Sequence, residues 1–346
     1  MTLAERRSRA TIYDIARQVG VSASTVSRAL HKPGRVSTDM EERIRTAATA
    51  LGYRINPMAR ALPTGRSGAL ALLLSDITNP VYFPFIRGAE RVSSATGSSL
   101  FIAESRESAA SELHAAHRFQ AAADGLVLVA SRLDDQAIRD LADATPLVVV
   151  NREVDGVAGL IPDLRPGIGG ALDHLRTLGH RSLVYLSGPS NSWMSRARWE
   201  LLLDMAVDRD MNIVEIGPGT PTMEGGAAAL LRVRASGATA VLAFNDLMAI
   251  GLLRACHAAG IAVPGHLSVV GFDDIFGADL TTPSLTTVRS PLTEMGAVAI
   301  RSLLAAVNGA VPVVPETLAT ELIIRASTSG PRHASASRPR HEENPT

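Results

Sequence analysis

The 346-residue sequence is poor in cysteine, in lysine and in aromatic residues. Its one cysteine, Cys256, excludes an internal disulfide framework and a cysteine-rich zinc site, and is typical of a reducing compartment. Its one lysine, Lys32, reflects a compositional bias and predicts no chemistry. No stretch approaches the ~20 apolar residues of a membrane span, and no apolar signal segment follows the basic N-terminus. We therefore expect a cytoplasmic protein without membrane attachment.

The formal net charge of zero hides an asymmetry along the chain. Residues 1–66 carry 11 arginines and Lys32 against five acidic residues, a net charge of +7. The remainder carries 22 basic and 29 acidic residues, a net charge of −7. A basic segment on an acidic body favours binding of a polyanion by that segment alone. The alternative is a solvated basic surface without a partner.

Residues 11–30, TIYDIARQVGVSASTVSRAL, predict two short amphipathic helices joined by a tight turn. Gly20 can take the positive φ of a helix end, and Ser22 can cap the second helix. The outward face of that helix carries Ala23, Ser24, Ser27 and Arg28. Because this face has small groups, hydroxyls and one guanidinium but no acid, it fits a DNA groove.

A third helix and a short segment complete the basic region. Ser37 or Thr38 can cap the third helix and Gly52 ends it, which predicts a small three-helix bundle. The following segment, NPMARAL, is about two turns long, too short for a stable isolated helix in water. It is therefore either a linker or a helix that forms only against a partner.

From Ala69 onward, short aliphatic runs alternate with helical patterns. The runs are ALALLL, SLFIA, GLVLV, LVVV, LVYL, IVEI, AVLAF and LSVVGF, and the predicted helices span 82–96, 108–121, 135–143, 167–178, 195–209, 223–235 and 246–259. Such alternation predicts parallel sheets covered on both faces. The units are too many for one domain of ~150 residues, so we expect two similar α/β lobes with a break near 162–166.

Polar side chains follow several of the predicted strands. They are Asp76, Asn79, Asn151, Arg152, Asn245, Asp246, Asp273 and Asp274, with Arg196 and Arg198 at the start of a helix and Phe83, Trp193 and Phe244 as candidate stacking groups. Carboxyl ends of parallel strands are the usual place for ligands. Since a hydroxyl can donate to a carboxylate and accept from an arginine, the set suits a neutral, hydroxyl-rich molecule.

Each of these polar residues also has a structural interpretation. Asp273 and Asp274 can be turn residues, Asn245 a helix N-cap, and Arg198 a surface ion-pair donor. Their joint occurrence at strand ends that flank one cleft favours the binding interpretation.

The chain resembles the LacI-type (lactose-repressor) family of bacterial transcription regulators. The resemblance rests on residues 11–30, on RVSTDMEERIRTAATALGYRINPMARAL and, further along, on DITNPVY, LGHRSLVYLSGP, FNDLMAIGLL, SVVGFDD and PSLTTVR. These motifs stand in family order over about residues 11–328. The resemblance implies an α/β protein with an N-terminal three-helix helix-turn-helix head and a two-lobed body like a periplasmic binding protein, with parallel sheets.

The resemblance also implies an order of domains. These are a helix-turn-helix head at 1–56, a hinge helix or linker at 57–67, a ligand-binding and dimerisation body at 68–328, and a disordered tail at 329–346. The chain of such a body crosses between its lobes three times, here near 162–166, 290–293 and 318–322. Lobe 1 is then about 68–164 and 294–317, and lobe 2 about 167–290 and 322–328.

Carried over by position, the family pattern assigns DNA contacts. Base edges fall to Ala23, Ser24 and Arg28, whose guanidinium can donate to O6 and N7 of guanine. Phosphates fall to the hydroxyls of Thr11, Ser22, Thr25, Ser27 and Ser37, for which capping and solvation are the alternative. Leu62 matches a leucine that wedges into the minor groove and kinks the duplex. The alternative for Leu62 is a linker residue packed on the body.

The family pattern assigns the effector site first to Arg198, Asn245 and Asp273 and then to Asn151 and Asp76. Phe83 joins this predicted site as a candidate stacking group. Two departures put the identity of the effector in question. Leu201 stands where relatives often have glycine, and GPGTPT at 217–222 lacks an aromatic residue that some sugar-binding members have. The implied protein is a homodimeric repressor that binds a palindromic DNA operator, needs no cofactor or metal, and is switched by a small sugar-like effector. The alternatives are a regulator without an effector and one with a nucleobase or nucleoside effector.

Two other classes of protein find less support. An enzyme is disfavoured because the chain has no G-x-S-x-G elbow and no Walker loop, and GIGG at 167–170 lacks dinucleotide-binding spacing. His114 and His117 lack an acidic or thiol partner nearby in sequence, and Cys256 sits in an alanine-rich helix as a packing residue. A free-standing binding protein would need a signal peptide and no basic head.

Overall fold

The computed structural model describes residues 10–31, 34–53, 66–311 and 318–331. The chain forms two compact units, Met1–Ser67 and Gly68–Thr346. The helices of the first unit are α1 Ile12–Val19, α2 Ala23–His31 and α3 Thr38–Ala50. No described helix is long and apolar enough to cross a membrane.

The first unit folds around apolar residues from all three helices. Ile15, Val26 and Ile44 are fully buried at its centre. Gly20 has φ 77°, and the N–H groups of Gly20 and of the next residue both donate to the carbonyl of Ala16, which ends α1 and turns the chain into α2. The predicted three-helix head is confirmed.

The second unit alternates strands and helices along the chain. In order, its elements are β1 Ala69–Leu74, α4 Tyr82–Ala95, β2 Ser99–Glu104, α5 Ala109–Gln120, β3 Gly125–Val129, α6 Asp135–Ala144, β4 Leu147–Val150, β5 Ala158–Leu160, α7 Arg165–Thr177, β6 Ser182–Leu186, α8 Trp193–Val207, β7 Asn212–Ile216, α9 Met223–Ala228, α10 Leu230–Ser236, β8 Ala240–Ala243, α11 Asp246–Ala258, β9 Ser268–Asp273, β10 Thr286–Arg289, α12 Leu292–Val307 and β11 Glu321–Ile323. Among the described residues they form two sheets, one in each lobe.

Lobe 1 contains a parallel sheet with the strand order β2-β1-β3-β4-β5. Although α12 follows β6 to β10 of lobe 2 in sequence, it packs on the lobe 1 sheet, and its Met295, Ile300 and Leu303 are fully buried there. The backbones of α4 and α12 approach closely at Gly88. A Cβ added to this glycine would lie 1.9 Å from the carbonyl oxygen of Thr293, so a larger residue would push the two helices apart. The chain therefore returns to lobe 1 after completing β10.

Lobe 2 contains a sheet in the order β11-β10-β9-β8-β6-β7, in which β11 alone among the described strands runs antiparallel to its neighbour. The first and third crossings pair with each other, since the N–H of Asp163 donates to the carbonyl of Leu318 at 2.9 Å. Ser329, at the start of the predicted tail, accepts a hydrogen bond from buried His180 at 2.8 Å. Residues 332–346 of that tail lie outside the described residues.

Candidate functional site

The exposed face of α2 presents hydroxyl groups and one guanidinium. Ser22 Oγ lies 2.8 Å from both Ser24 Oγ and Thr25 Oγ1, and it accepts a 3.2 Å hydrogen bond from the N–H of Thr25, which caps the helix. The Nε of Arg28 donates to the carbonyl of Ser24 at 3.2 Å. Among the described residues no carboxylate pairs with Arg28. The face is therefore polar, exposed and electropositive.

The other predicted phosphate contacts differ in their surroundings. The hydroxyl of Thr11 donates to Asp14 at 2.7 Å, and this hydrogen bond contributes most to lowering the pKa of that carboxyl. The Ser37 hydroxyl precedes α3 and makes no capping hydrogen bond. Ser27 and Ala23 are half-buried on α2. Leu62 lies outside the described residues.

In the second unit, strand ends from both lobes line one small cavity of about 60 Å³. Its polar and aromatic lining includes Ser75, Asn79, Tyr82, Glu107, Arg132, Asn151, Ser192, Arg198, Phe244, Asn245 and Asp273. This volume is well below the ~300–1,000 Å³ that is typical of small-molecule sites. The lobes must therefore separate before a molecule the size of a sugar can enter.

Arg198 is a deeply buried charged group of the cavity. It is 5% exposed, and its guanidinium carbon lies 3.7 Å from the centre of the Phe272 ring and 5.1 Å from that of Phe244. Its Nη1 donates to the carbonyl of Phe244, and its Nη2 donates to Asp273 Oδ1 at 3.3 Å. The Arg198 Nε has no hydrogen-bond partner among the described residues. The surface ion-pair interpretation is therefore excluded by burial, and one oriented donor is left over.

Asp273 stands at the end of β9 beside this arginine. Burial raises the pKa of Asp273 to about 6, against the opposing charge of Arg198. The neighbouring Asp246 is fully buried, and its carboxylate accepts from the Thr287 hydroxyl at 2.6 Å and from the N–H of Ile275 at 2.8 Å. Burial, and then the charge of Asp273, raise the pKa of Asp246 well above its usual value. Lobe 2 thus presents Asp273 to the cavity and keeps Asp246 behind it.

The two asparagines of the predicted site behave differently. Asn245 caps α11, because its Oδ1 accepts from the N–H of Met248 at 2.9 Å while its Nδ2 donates to the carbonyl of Pro221 at 3.0 Å. Asn151 lines the cavity from lobe 1. Its main-chain N–H donates to the carbonyl of Leu160, but its side-chain amide has no hydrogen bond to any described residue. Asn245 therefore shapes the cavity wall, whereas Asn151 offers an unused amide.

Other residues predicted at strand ends lie away from the cavity. The Asp76 carboxylate accepts from the N–H and the hydroxyl of Thr78 at 2.8 and 2.6 Å, which closes a turn. Phe83 is 48% exposed on α4 and does not line the cavity. Asp274 pairs with Arg289 at 2.7 Å and with Arg325 at 2.6 Å. Three more do not line it either: Arg152, Trp193 and Arg196.

The structure adds four residues of lobe 1 that were not predicted. The Tyr82 hydroxyl lies 2.6 Å from Ser75 Oγ, and Arg132 Nε donates to Glu107 Oε2 at 2.6 Å. Glu107 and Arg132 come shortly after β2 and β3. The same rule that selected residues after other strands would have found both.

Backbone strain concentrates at the cavity. Four non-glycine residues that line it have positive φ, namely Glu107 at 58°, Ala130 at 54°, Asn151 at 59° and Asp273 at 111°. Each such residue costs on the order of 1–3 kcal/mol, and such strain is typical of ligand clamps.

The fold and these two sites define a class of protein, a DNA-binding head joined to a two-lobed ligand-binding body. Residues 11–56 match the model of bacterial regulatory proteins of the lacI family, and residues 172–328 match the periplasmic binding protein-like domain. The HTH-type transcriptional regulator GalS of Salmonella typhimurium is 35% identical over 312 residues, which cover 88% of this chain and 92% of that protein. GalR of Escherichia coli is 32% identical, over 93% of this chain and 96% of that protein.

Solved structures show the same relationship. A Lac repressor dimer bound to operator and the anti-inducer ONPF has a TM-score of 0.84 at 25% identity, and covers 93% of this chain and 100% of that one. The transcriptional regulator CelR in complex with cellobiose has a TM-score of 0.66 at 27% identity, over 92% and 100% of the two chains. The chain belongs to the LacI family. It is a DNA-binding transcriptional regulator and not an enzyme.

Proposed function

We propose that the protein is a cytoplasmic, homodimeric repressor that binds a palindromic operator and releases or strengthens that binding when a small carbohydrate occupies the interlobe cavity. The observation that carries the effector part of the proposal is the buried Arg198–Asp273 pair facing the cavity. It brings a guanidinium and a carboxylate to the lining of the cavity, and a ligand hydroxyl can accept from the first and donate to the second. CelR, whose structure contains cellobiose, and the Ribose operon repressor of Halalkalibacterium halodurans are relatives whose names point to sugars.

The DNA part of the proposal assigns α2 to the major groove. Ala23, Ser24 and Arg28 read base edges, and the hydroxyls of Thr11, Ser22, Thr25, Ser27 and Ser37 contact phosphates. The exposed, acid-free face of α2 supports this assignment. Leu62 is proposed as the minor-groove wedge on the grounds of its position in the family pattern alone.

Exposed apolar side chains on the second unit support the dimer. Phe101 and Ile102 lie on β2, an edge strand of lobe 1, and are 45% and 37% exposed. Phe276 and Leu280, in the loop after β9, are 80% and 70% exposed. Edge strands and apolar patches of this kind are commonly covered by a partner.

A change in the angle between the lobes is the proposed switch. The cavity is smaller than a sugar in this structure, so a ligand selects a conformation with the lobes further apart. The angle sets the spacing of the two hinge segments in a dimer and hence the fit of both heads to a palindrome. A ligand shifts this equilibrium only by its differential affinity for the two states.

Selection of bound fragments from the source organism's DNA, at a stated salt concentration, tests the DNA part. The proposal predicts recovery of a short palindrome with a pyrimidine–purine step at its centre, which is the step that is easiest to kink. Repeating the selection with metabolite extract tests the switch. Binding that is salt-sensitive but independent of sequence, with and without extract, would contradict the proposal.

A further inference from the structure

Glu107 and Arg132 form a second ion pair in the cavity, on the lobe 1 side. Arg132 Nε donates to Glu107 Oε2 at 2.6 Å and its Nη1 donates to the carbonyl of Ala130 at 2.9 Å. The main-chain N–H of Arg132 donates to buried Glu112 at 2.7 Å. The Arg132 side chain is 4% exposed and that of Glu107 is 28% exposed. The pair is therefore held in one orientation and is not a mobile surface contact.

Part of this pair remains available to a ligand. Arg132 Nη2 and Glu107 Oε1 make no hydrogen bond to any described residue, and both side chains line the cavity. The lobe 2 pair is similar on its carboxylate side, since Asp273 Oδ2 makes no hydrogen bond to a described residue, whereas Arg198 Nε is unpartnered but buried. Each lobe thus brings one guanidinium and one carboxylate to the lining of the same cavity.

Tyr82 lines the same cavity as both ion pairs. Burial is the main cause that raises the pKa of this phenol. The charges of Glu107 in lobe 1 and Asp273 in lobe 2 raise it further, while Arg132 lowers it. A molecule in the cavity therefore meets the charges of both lobes at once.

The backbone that carries Glu107 is also unusual. Arg106 and Glu107 have φ values of 53° and 58°, so two consecutive non-glycine residues adopt the left-handed region. Arg106 points its side chain to Glu104 and is 82% exposed. The strained turn separates the two neighbours, with Arg106 on the surface and Glu107 in the cavity. Such strain is typical of ligand clamps.

We propose that Glu107 and Arg132 are specificity-determining residues of the effector site, and that together with Arg198 and Asp273 they select a neutral hydroxylated sugar over the sugar acid of the same shape. The inference rests on the proposed function, namely that the cavity takes a small carbohydrate.

The charge pattern gives the reason for this selectivity. A hydroxyl group can accept from a guanidinium and donate to the adjacent carboxylate, so it satisfies either pair. Each guanidinium is already neutralised by its paired carboxylate, so a charged ligand group finds no unpaired partner of opposite sign in the cavity. A ligand carboxylate or ammonium would therefore lose its hydration without a full counter-charge in return. The four groups carry no net charge, which matches a neutral ligand.

Titration calorimetry on the full chain tests this inference. The probes are D-galactose, D-glucose, D-ribose and cellobiose, with D-galacturonate and D-glucuronate as the matched acids. The wild type is expected to bind at least one neutral sugar, and to bind the matched acid roughly 100-fold more weakly because the acid buries an unpaired charge. Glu107→Gln should weaken binding of the neutral sugar by about 10-fold. It should also reduce the difference in affinity between the neutral sugar and its matched acid.

A matched control lies one residue away. Arg106→Gln removes a charge from the same loop outside the cavity and should leave sugar binding unchanged. Arg132→Gln should weaken binding of the neutral sugar as Glu107→Gln does, and thermal melts of all three variants identify any that fail to fold.

Three results would overturn the inference, and they are distinguishable. In the first, Glu107→Gln and Arg132→Gln fold and bind the neutral sugar like the wild type, while Arg198→Ala does not bind it. The cavity is then the effector site, but Glu107 and Arg132 of lobe 1 do not determine its specificity. If a sugar acid binds as tightly as its neutral partner, the charge argument is wrong. If none of the six probes binds the wild type, the proposed carbohydrate effector fails and this inference fails with it.

Discussion

The exposed face of α2 and the interlobe cavity use similar groups in opposite environments. On α2, Arg28 is exposed and hydrogen-bonded to Ser24. In the cavity, Arg198 is buried against two aromatic rings and paired with Asp273. A polyanion is attracted by exposed positive charge, whereas a small neutral ligand needs buried groups that are already oriented. Substitutions in the cavity should therefore have large effects confined to the ligand, and substitutions in the head should have smaller effects confined to DNA.

The largest effect is expected for Arg198→Ala. The substitution leaves Asp273 buried without its cation and removes an oriented donor, so affinity for the effector should fall roughly 100-fold or more. Titration of ligand measures the loss, and operator binding without ligand should be retained. Arg196→Ala, two residues away on the exposed side of α8, is the matched control and should bind ligand normally. An unchanged ligand response in Arg198→Ala would mean that the cavity is misassigned.

Arg28→Ala tests the head in the same way. Losing ~1 kcal/mol at each of two half-sites weakens operator binding about 30-fold, and the base preference at the contacted position should relax. Measurement on the operator and on single-base variants of it separates affinity from specificity. Arg45→Ala, on α3 and paired with Glu41, is the control for loss of charge alone. Equal weakening on all sequences would contradict a base-reading role.

Leu62→Ala sharpens the division between the two regions. Removing the proposed wedge should weaken operator binding by about 10-fold, because the kink no longer gains the contacts that offset the unstacking of a base step. Ligand affinity in the absence of DNA should not change. The measurement is an operator titration beside a ligand titration on the same preparation. Comparable losses in both would contradict separate DNA and effector roles.

The smallest expected effect is the pH dependence of effector binding. The pKa of Asp273 is raised to about 6, so this carboxylate is ionised above that pH and protonated below it. A ligand hydroxyl donates to the ionised form, so binding should weaken as the pH falls through 6. If only the ionised form binds, affinity at pH 5.5 is roughly fourfold lower than at pH 8. Asp76→Asn, which alters an aspartate outside the cavity, should keep the same profile, and a flat wild-type profile would contradict a role for Asp273.

Most of the fold could be predicted from the sequence because most of its strands are runs of mainly apolar residues. All eight aliphatic runs became strands, and GLVLV and LVVV match β3 and β4 residue for residue. Three strands were not predicted, namely β5, β10 and β11, whose sequences AGL, TTVR and ELI contain no more than two aliphatic residues each. So few apolar residues give no detectable pattern, and the pairing of these strands depends on tertiary neighbours.

The candidate site was predicted less completely, for two physical reasons. Asp76 and Asn79 follow β1 alike, but Asp76 closes a turn with Thr78 while Asn79 reaches the cavity. Sequence position alone does not reveal where a side chain points. Glu107 lies three residues beyond β2, within reach of the strand-end rule, but the positive φ values of Arg106 and Glu107 that shape this turn occur without a glycine and leave no mark in the sequence.

The central claim is that effector binding in the cavity and operator binding by the head shift the same conformational equilibrium, either in opposite directions or in the same direction. The most direct measurement is a reciprocal titration, with operator affinity at saturating effector and effector affinity at saturating operator. Linkage requires that the effector change the operator affinity by the same factor as the operator changes the effector affinity. A coupling of ~1–3 kcal/mol predicts a factor of roughly 5 to 150. With Arg198→Ala, an effector concentration that saturates the wild type should leave the operator affinity nearly unchanged. Operator affinity that does not move at saturating effector would contradict the account.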